Sequence, residues 1–161
     1  MQKHVSEVLA QSIPRVLKGS SALQFAPGIA GGNSRGKNST IVVALVDVDD
    51  ETREAAYDYF YSFQLLVQRV RIAIFTDGHD LKLIRNYGWM CEHVMQKDDH
   101  NKLEPFDDWS GMVVKQLRDC VSRLDAQYLF VVSPDGIDRE DHYALNRLVG
   151  QRIPFESVVC R

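Results

Sequence analysis

Ile41-Val42-Val43-Ala44-Leu45-Val46-Asp47 and Arg71-Ile72-Ala73-Ile74-Phe75 are the two runs of sequence that decide the fold. Both runs are apolar without alternation; the first ends on an aspartate, and the second is followed by Thr76-Asp77-Gly78. Strands that are buried on both faces have this pattern, and such strands occur in parallel sheets that helices cover. A helical pattern over about 51–68 separates the two runs, so the chain from 40 to 78 predicts a strand–helix–strand unit.

The rest of the chain continues this alternation of strands and helices. Further predicted elements are strands over 90–95, 128–132 and 153–160, and helices over 80–87, 109–124 and 139–150. Residues 96–107 are polar and predict a loop. Strands joined by right-handed helical crossovers predict a three-layer, Rossmann-like α/β domain over 40–161. We expect five mostly parallel strands in the order 3-2-1-4-5, with helices on both faces of the sheet.

Two further segments precede this domain. Residues 1–18 have the apolar spacing of an N-terminal amphipathic helix, and residues 3–18 could dock a second domain, a partner protein or a second copy of the chain. Residues 19–39 are rich in Gly and Ser and predict a linker. The linker nearly matches the sequence motif of a phosphate-binding P-loop. However, Asn38 stands in place of the Ser or Thr that holds magnesium, and the segment precedes a strand, whereas a P-loop follows one.

Composition excludes several classes of protein. The net charge is -3 and the cationic residues are spread along the chain, so no basic nucleic-acid face is expected. No apolar run reaches the roughly 18 residues of a membrane span, and no signal peptide is expected. Cys91, Cys120 and Cys160 are odd in number and widely spaced, which is typical of reduced thiols in a cytoplasmic protein.

Polar residues follow three of the predicted strands. The carboxyl ends of parallel strands meet at one rim of the sheet, and ligands bind there where the strand order reverses, which here is between the strands 41–47 and 128–132. The expected catalytic residues are Asp47, Asp49 and Asp77, and the expected ligand-binding residues are Thr76, Gly78, His79, Ser133, Asp135 and Gly136. Asp50 belongs to the same acidic group.

The histidines and tryptophans give weaker signals. His79 follows Asp77-Gly78 and is the best candidate for a general base. His4, His100 and His142 are expected to be exposed to solvent. Trp89 is expected in the core, with stacking on a sugar as the alternative.

The order of elements resembles the N-terminal Rossmann-like half of nucleotide-sugar-dependent glycosyltransferases. The residues that carry the resemblance are 41–47, 72–78, 87–94 and 128–136. The resemblance implies a sugar or nucleotide-sugar ligand held by acids and backbone amides, with Mg²⁺ or Mn²⁺ as the candidate cofactor. It also implies an isolated half that is inactive alone. Metal-dependent members place an Asp-x-Asp motif where this chain has Ser133-Pro134-Asp135.

Asp47-Val48-Asp49 also resembles the nucleophile and acid pair of haloacid dehalogenase-like phosphatases. That resemblance implies that Thr76 holds phosphate, Lys102 neutralises charge and Asp135 binds magnesium. Glu51 stands where the family has Thr or Val, and the helix begins too early for the hairpin that follows the nucleophile. The phosphatase is therefore the second hypothesis.

The third hypothesis is a non-catalytic interaction module of the flavodoxin-like or receiver-like kind. A receiver places its acceptor aspartate at the end of the third strand, where this chain has Gln96-Lys97. A flavin site needs a hydroxyl-rich phosphate loop after the first strand, and the acids at 47–50 would repel phosphate.

Overall fold

The computed structural model describes residues 23–25, 39–67, 70–150 and 152–159. The strands in this part of the chain are β1 (Leu23–Phe25), β2 (Ser39–Leu45), β3 (Val70–Thr76), β4 (Met90–His93) and β5 (Tyr128–Val131). The helices are α1 (Asp50–Leu66), α2 (Lys82–Asn86), α3 (Lys97–Leu103), α4 (Trp109–Arg123), α5 (Arg139–Val149) and α6 (Glu156–Val159).

The strands form one sheet in the order β1-β5-β2-β3-β4. Strands β5, β2, β3 and β4 are mutually parallel, whereas β1 pairs antiparallel with β5 at the edge. The four parallel strands are the first four predicted from the sequence, and their predicted order 3-2-1-4 is confirmed.

Strand β2 is the central strand of the sheet, and helices cover both of its faces. Ile41, Val43 and Leu45 pack in one apolar cluster with side chains of α1 and α5. Val42 and Ala44 pack in a second cluster with side chains of α4. All five are at most 1% exposed, which explains why the strand shows no polar alternation.

Local signals fix where the long helices begin. Asp49 caps α1 by accepting a hydrogen bond from the Thr52 N–H (2.7 Å), and Asp108 caps α4. Asp138 caps α5 in a reciprocal capping box with Asp141. These side chains satisfy backbone N–H groups that have no partner inside the helix, so the start of each helix is encoded locally.

The predicted fifth strand at the edge of the sheet was wrong. The segment 153–160 is not the fifth strand, because its described residues form an irregular stretch followed by α6. The edge of the sheet beside β5 is taken instead by β1, which comes from within the predicted linker. A parallel strand from the C-terminal segment would need that same edge. Residues 1–18 and the linker apart from residues 23–25 and 39 lie outside the described residues.

The predicted loop at 96–107 was also wrong, because residues 97–103 form α3. His100 of this helix is buried, which contradicts the expectation that it faces solvent. Helix α3 packs against α4. This contact stabilises a helix whose sequence is too polar to show the apolar periodicity of a helix.

None of the described helices has the length and apolar character needed to span a membrane.

The fold makes one stability prediction, which concerns Phe60 on the buried face of α1. Phe60 is 0% exposed and its ring meets that of Phe130 edge-to-face, with the centroids 5.2 Å apart. We expect Phe60→Ala to lower the free energy of unfolding by about 3–5 kcal/mol, because a cavity replaces the ring. Urea denaturation measures this loss. The control is Leu65→Ala on the same helix, where the side chain is 53% exposed, and a loss no larger than the control's would contradict the packing.

Candidate functional site at the carboxyl ends of the strands

A buried ion pair lies at the centre of the candidate site. The guanidinium of Arg53 donates through Nη2 to Asp77 Oδ1 (3.0 Å) and to the Val48 carbonyl (3.0 Å). Its Nη1 donates to Asp50 Oδ1 (2.6 Å). Arg53 is 7% exposed and Asp77 6%, so water screens their attraction poorly. One cation therefore holds together the start of α1, the loop before it and the end of β3.

Asp77 also restrains the backbone of Asp47. Its second oxygen, Oδ2, accepts a hydrogen bond from the Asp47 N–H (3.1 Å). Asp47 adopts a left-handed conformation with φ of 57°, a region that L-residues rarely occupy and that Asp and Asn tolerate best. The structure thus brings two of the three expected catalytic residues together. It gives both carboxylate oxygens of Asp77 a structural partner, while the side chain of Asp47 is exposed.

Thr76 and Gly78 form the base of the same arrangement. The Thr76 hydroxyl donates to the Leu45 carbonyl (3.0 Å) and accepts from the Gly78 N–H (3.0 Å). A Cβ at Gly78 would lie 2.7 Å from Arg53 Nε, which is closer than real Cβ contacts. A side chain at 78 would therefore have to displace the buried guanidinium, over which the loop passes directly. The Thr76 hydroxyl has its partners inside the fold.

The residues that follow β5 form a tight turn beside α1. The Gly136 N–H donates to the Ser133 carbonyl (3.0 Å), and Gly136 has a φ of 84°. The Thr52 hydroxyl of α1 donates to the Pro134 carbonyl (3.4 Å). This hydrogen bond joins the segment after β2 to the turn after β5. Exposed Asp135 follows Pro134 directly, and exposed Asp49 accepts a hydrogen bond from the Thr52 N–H.

The strand order reverses between β2 and β5 as predicted, but the two helices that follow these strands share one face of the sheet. Side chains of α1 and α5 belong to the same apolar cluster, and Tyr59 of α1 hydrogen-bonds His142 of α5 (2.7 Å). A crevice at such a point forms when the following helices diverge to opposite faces. Here the two strand ends are instead linked through Thr52 and Pro134.

Two ionisable groups near the ion pair have shifted pKa values. The backbone N–H of Thr52 holds the pKa of Asp49 below its usual value. Burial raises the pKa of Tyr57 to about 12, although the nearby Thr76 hydroxyl and the Arg53 guanidinium oppose part of that shift. Among the described atoms, the Tyr57 hydroxyl and Arg53 Nε are buried without a hydrogen-bond partner of ordinary geometry.

The described contacts of His79 and Trp89 are with side chains outside the acidic group. His79 is exposed, and its ring centroid is 5.7 Å from that of His93, which follows from the pairing of Thr76 with His93 across β3 and β4. Trp89 is buried and donates its indole N–H to Gln64 (2.7 Å). Trp89 is therefore a core residue, as the sequence indicated, and it does not present a face for a sugar.

Arg53 was not among the expected site residues, and the expectation for His142 was wrong. Arg53 lies in the first turn of α1, where the positive end of the helix dipole disfavours a cation. A cation at this unfavourable position was the signal in the sequence that the Arg53 side chain has a specific partner. His142 was expected to be exposed but is 0% exposed. Its position on the apolar stripe of α5, beside Leu145, is the corresponding signal.

No three His, Cys, Asp or Glu side chains within the described ranges are grouped so that they could hold a metal ion. The Mg²⁺ or Mn²⁺ expected from the resemblance therefore has no ready set of protein ligands in this part of the chain.

The buried ion pair can be tested through stability. We expect Arg53→Met to lower the free energy of unfolding by about 3–5 kcal/mol, because Asp77 would keep a buried charge without its partner. Adding Asp77→Asn should recover part of the loss, since the unpaired charge is then removed. Urea denaturation at neutral pH measures both, with the exposed helical Arg85→Met as control. An Arg53→Met loss equal to that of the control would refute the central role of the pair.

Comparisons of the chain with family models, with curated proteins and with solved structures give no match.

Proposed function

We propose that this chain is a carbohydrate-active, glycosyltransferase-like domain that binds a sugar or a nucleotide-sugar at the carboxyl ends of β2 and β5. The observation that supports the proposal best is the hydrogen bond from Thr52 to Pro134. It places the acidic segment after β2 and the Ser133–Gly136 turn after β5 in one continuous surface. The ligand would meet residues from both strand ends.

Exposed carboxylates are suited to a ligand that carries many hydroxyl groups. Asp47, Asp49 and Asp135 are exposed and acceptor-only when ionised. Hydrogen bonds from hydroxyl groups to carboxylates are shorter and stronger than those between neutral groups. The ion pair between Arg53 and Asp77 fixes the backbone that carries Asp47, so little conformational entropy would be lost on binding.

A sugar ligand fits this chemistry better than phosphatase catalysis does. The general acid of the phosphatase hypothesis is Asp49, but its pKa is lowered, so it would hold a proton poorly. The Thr76 hydroxyl, expected to hold phosphate, instead bonds to Leu45 and Gly78. These two observations favour a binding surface over a phosphoryl-transfer site.

The exposure of the acidic side chains also suggests which groups this domain would contribute to a larger assembly. Asp77 is buried, whereas Asp47 and Asp49 are exposed, so a ligand would reach the carboxylates of Asp47 and Asp49 first. We infer that this domain contributes ligand binding, and that a second domain or partner protein contributes the remaining groups needed for transfer.

The proposal predicts saturable binding of UDP-glucose or of a related nucleotide-sugar, measured by isothermal titration calorimetry and by thermal shift with and without magnesium or manganese. We expect Asp47→Asn and Asp135→Asn each to weaken binding about tenfold, because each replaces a charged acceptor with a neutral one. The matched control is Asp125→Asn. Asp125 is also exposed and left-handed, with a φ of 49°, but lies after α4 and away from the strand ends.

The alternatives give different results in the same experiment. A magnesium-dependent response to glucose 1-phosphate alone would favour the phosphatase. No response to any nucleotide-sugar, nucleotide or phosphosugar would count against the proposal and favour the interaction module. Equal affinity in Asp47→Asn, Asp135→Asn and the control would show that any ligand binds elsewhere.

A further inference from the structure

A second candidate site lies at the opposite end of α5. A cavity of about 580 Å³ opens between the last turn of this helix and residues 152–154. Helix α5 begins after the carboxyl end of β5 and runs back towards the amino ends of the strands. The cavity is therefore remote from the acidic rim, and its volume is in the range of small-molecule sites.

The described lining of this cavity is positively charged. Arg147 and Arg152 both line it and are exposed, and no acidic residue is among its described lining residues. Within the described part of the chain neither guanidinium forms an ion pair with a carboxylate. Two arginines side by side in the lining, in a chain of net charge -3, are a local concentration of positive charge.

A buried polar network forms the inner wall of the cavity. His142 Nε2 is 2.6 Å from the Ile153 carbonyl, which can only accept, so Nε2 carries the proton. The Tyr59 hydroxyl then donates to the other ring nitrogen, Nδ1 (2.7 Å). Asn146 donates through Nδ2 to the same carbonyl (2.8 Å). In this orientation Asn146 Nδ2 also lies 3.2 Å from His142 Nε2, so that two N–H groups face each other. The reverse orientation would place Asn146 Oδ1 only 2.8 Å from the Ile153 carbonyl oxygen, which is the closer and less favourable contact.

The network leaves one acceptor unused. Asn146 is 7% exposed and lines the cavity, and its Oδ1 has no hydrogen-bond partner among the described atoms. A buried acceptor without a donor is unfavourable, and native structures rarely retain one unless water or a ligand supplies the donor. A ligand of this cavity therefore needs a hydrogen-bond donor for Asn146 as well as a negative charge for the two arginines.

We propose that this cavity binds a small phosphate monoester that carries hydroxyl groups. The guanidiniums of Arg147 and Arg152 hold the phosphate dianion. Asn146 Oδ1 is buried beneath the lining of the cavity, and it accepts a hydrogen bond from a ligand hydroxyl once the side chain turns towards the cavity. The C-terminal end of α5 carries a partial negative charge of about half a unit, which the two full positive charges outweigh. This site is independent of the sugar site proposed at the rim.

Glycerol 3-phosphate is the probe that tests the charge requirement. Isothermal titration calorimetry should show binding at concentrations below about 10 mM, and Arg147→Gln and Arg152→Gln should each weaken it about tenfold. The matched control is Arg85→Gln. Arg85 is likewise an exposed arginine in the last turn of a helix, and its substitution should leave binding unchanged. No binding, or equal weakening by the control, would overturn the proposal.

Methyl phosphate tests the donor requirement, because it has the anion without the hydroxyl groups. The wild-type chain should bind glycerol 3-phosphate about tenfold more tightly than methyl phosphate, and Asn146→Leu should abolish that preference. If Asn146→Leu does not fold, the wild-type preference decides alone, and equal affinities would refute the role of Asn146. Loss of binding in Asp47→Asn would place the phosphate at the strand ends and would also overturn the proposal.

Discussion

The buried guanidinium of Arg53 is the constraint on which the carboxyl-terminal rim of the sheet depends. A charge in this environment is costly unless its donors are paired. Arg53 meets most of that need through Nη1 and Nη2, which donate to the carboxylates of Asp50 and Asp77 and to the Val48 carbonyl, whereas its Nε has no partner of ordinary geometry among the described atoms. Asp77 then holds the Asp47 N–H, so a cation on α1 and an anion after β3 determine the backbone that follows β2. The loop passes so close to this pair at Gly78 that a side chain there would have to displace Arg53.

Helix α5 connects the two candidate sites of the domain. Its N-terminus follows the Ser133–Gly136 turn at the rim, and its last turn forms the wall of the cavity. Between these ends, Tyr59 and His142 attach it to α1 through a buried hydrogen bond. The placement of α1 and α5 on one face therefore closes the expected crevice and also builds the polar network behind the cavity.

The sequence predicted those elements whose signals are local. Continuous apolar runs identified β2 and β3, and the helix predicted over 109–124 is α4, which Asp108 caps. The segment 153–160 has the composition of a strand, but composition does not say whether a sheet edge is free, and β1 occupies that edge. The helix α3 was missed for the converse reason: its sequence is polar, and its stability comes from packing against α4.

The sequence by itself determined that Asp47, Thr76 and Asp77 would lie at one rim, because parallel strands end at the same edge and each residue follows an apolar run. The tertiary structure alone decided what these residues do there. Asp77 is neutralised by a residue 24 positions away, and Thr76 turns its hydroxyl inward. Such pairings depend on the register of β2 and β3 and on the face that α1 covers. No periodicity in the chain encodes them, because they arise only when distant segments are packed together.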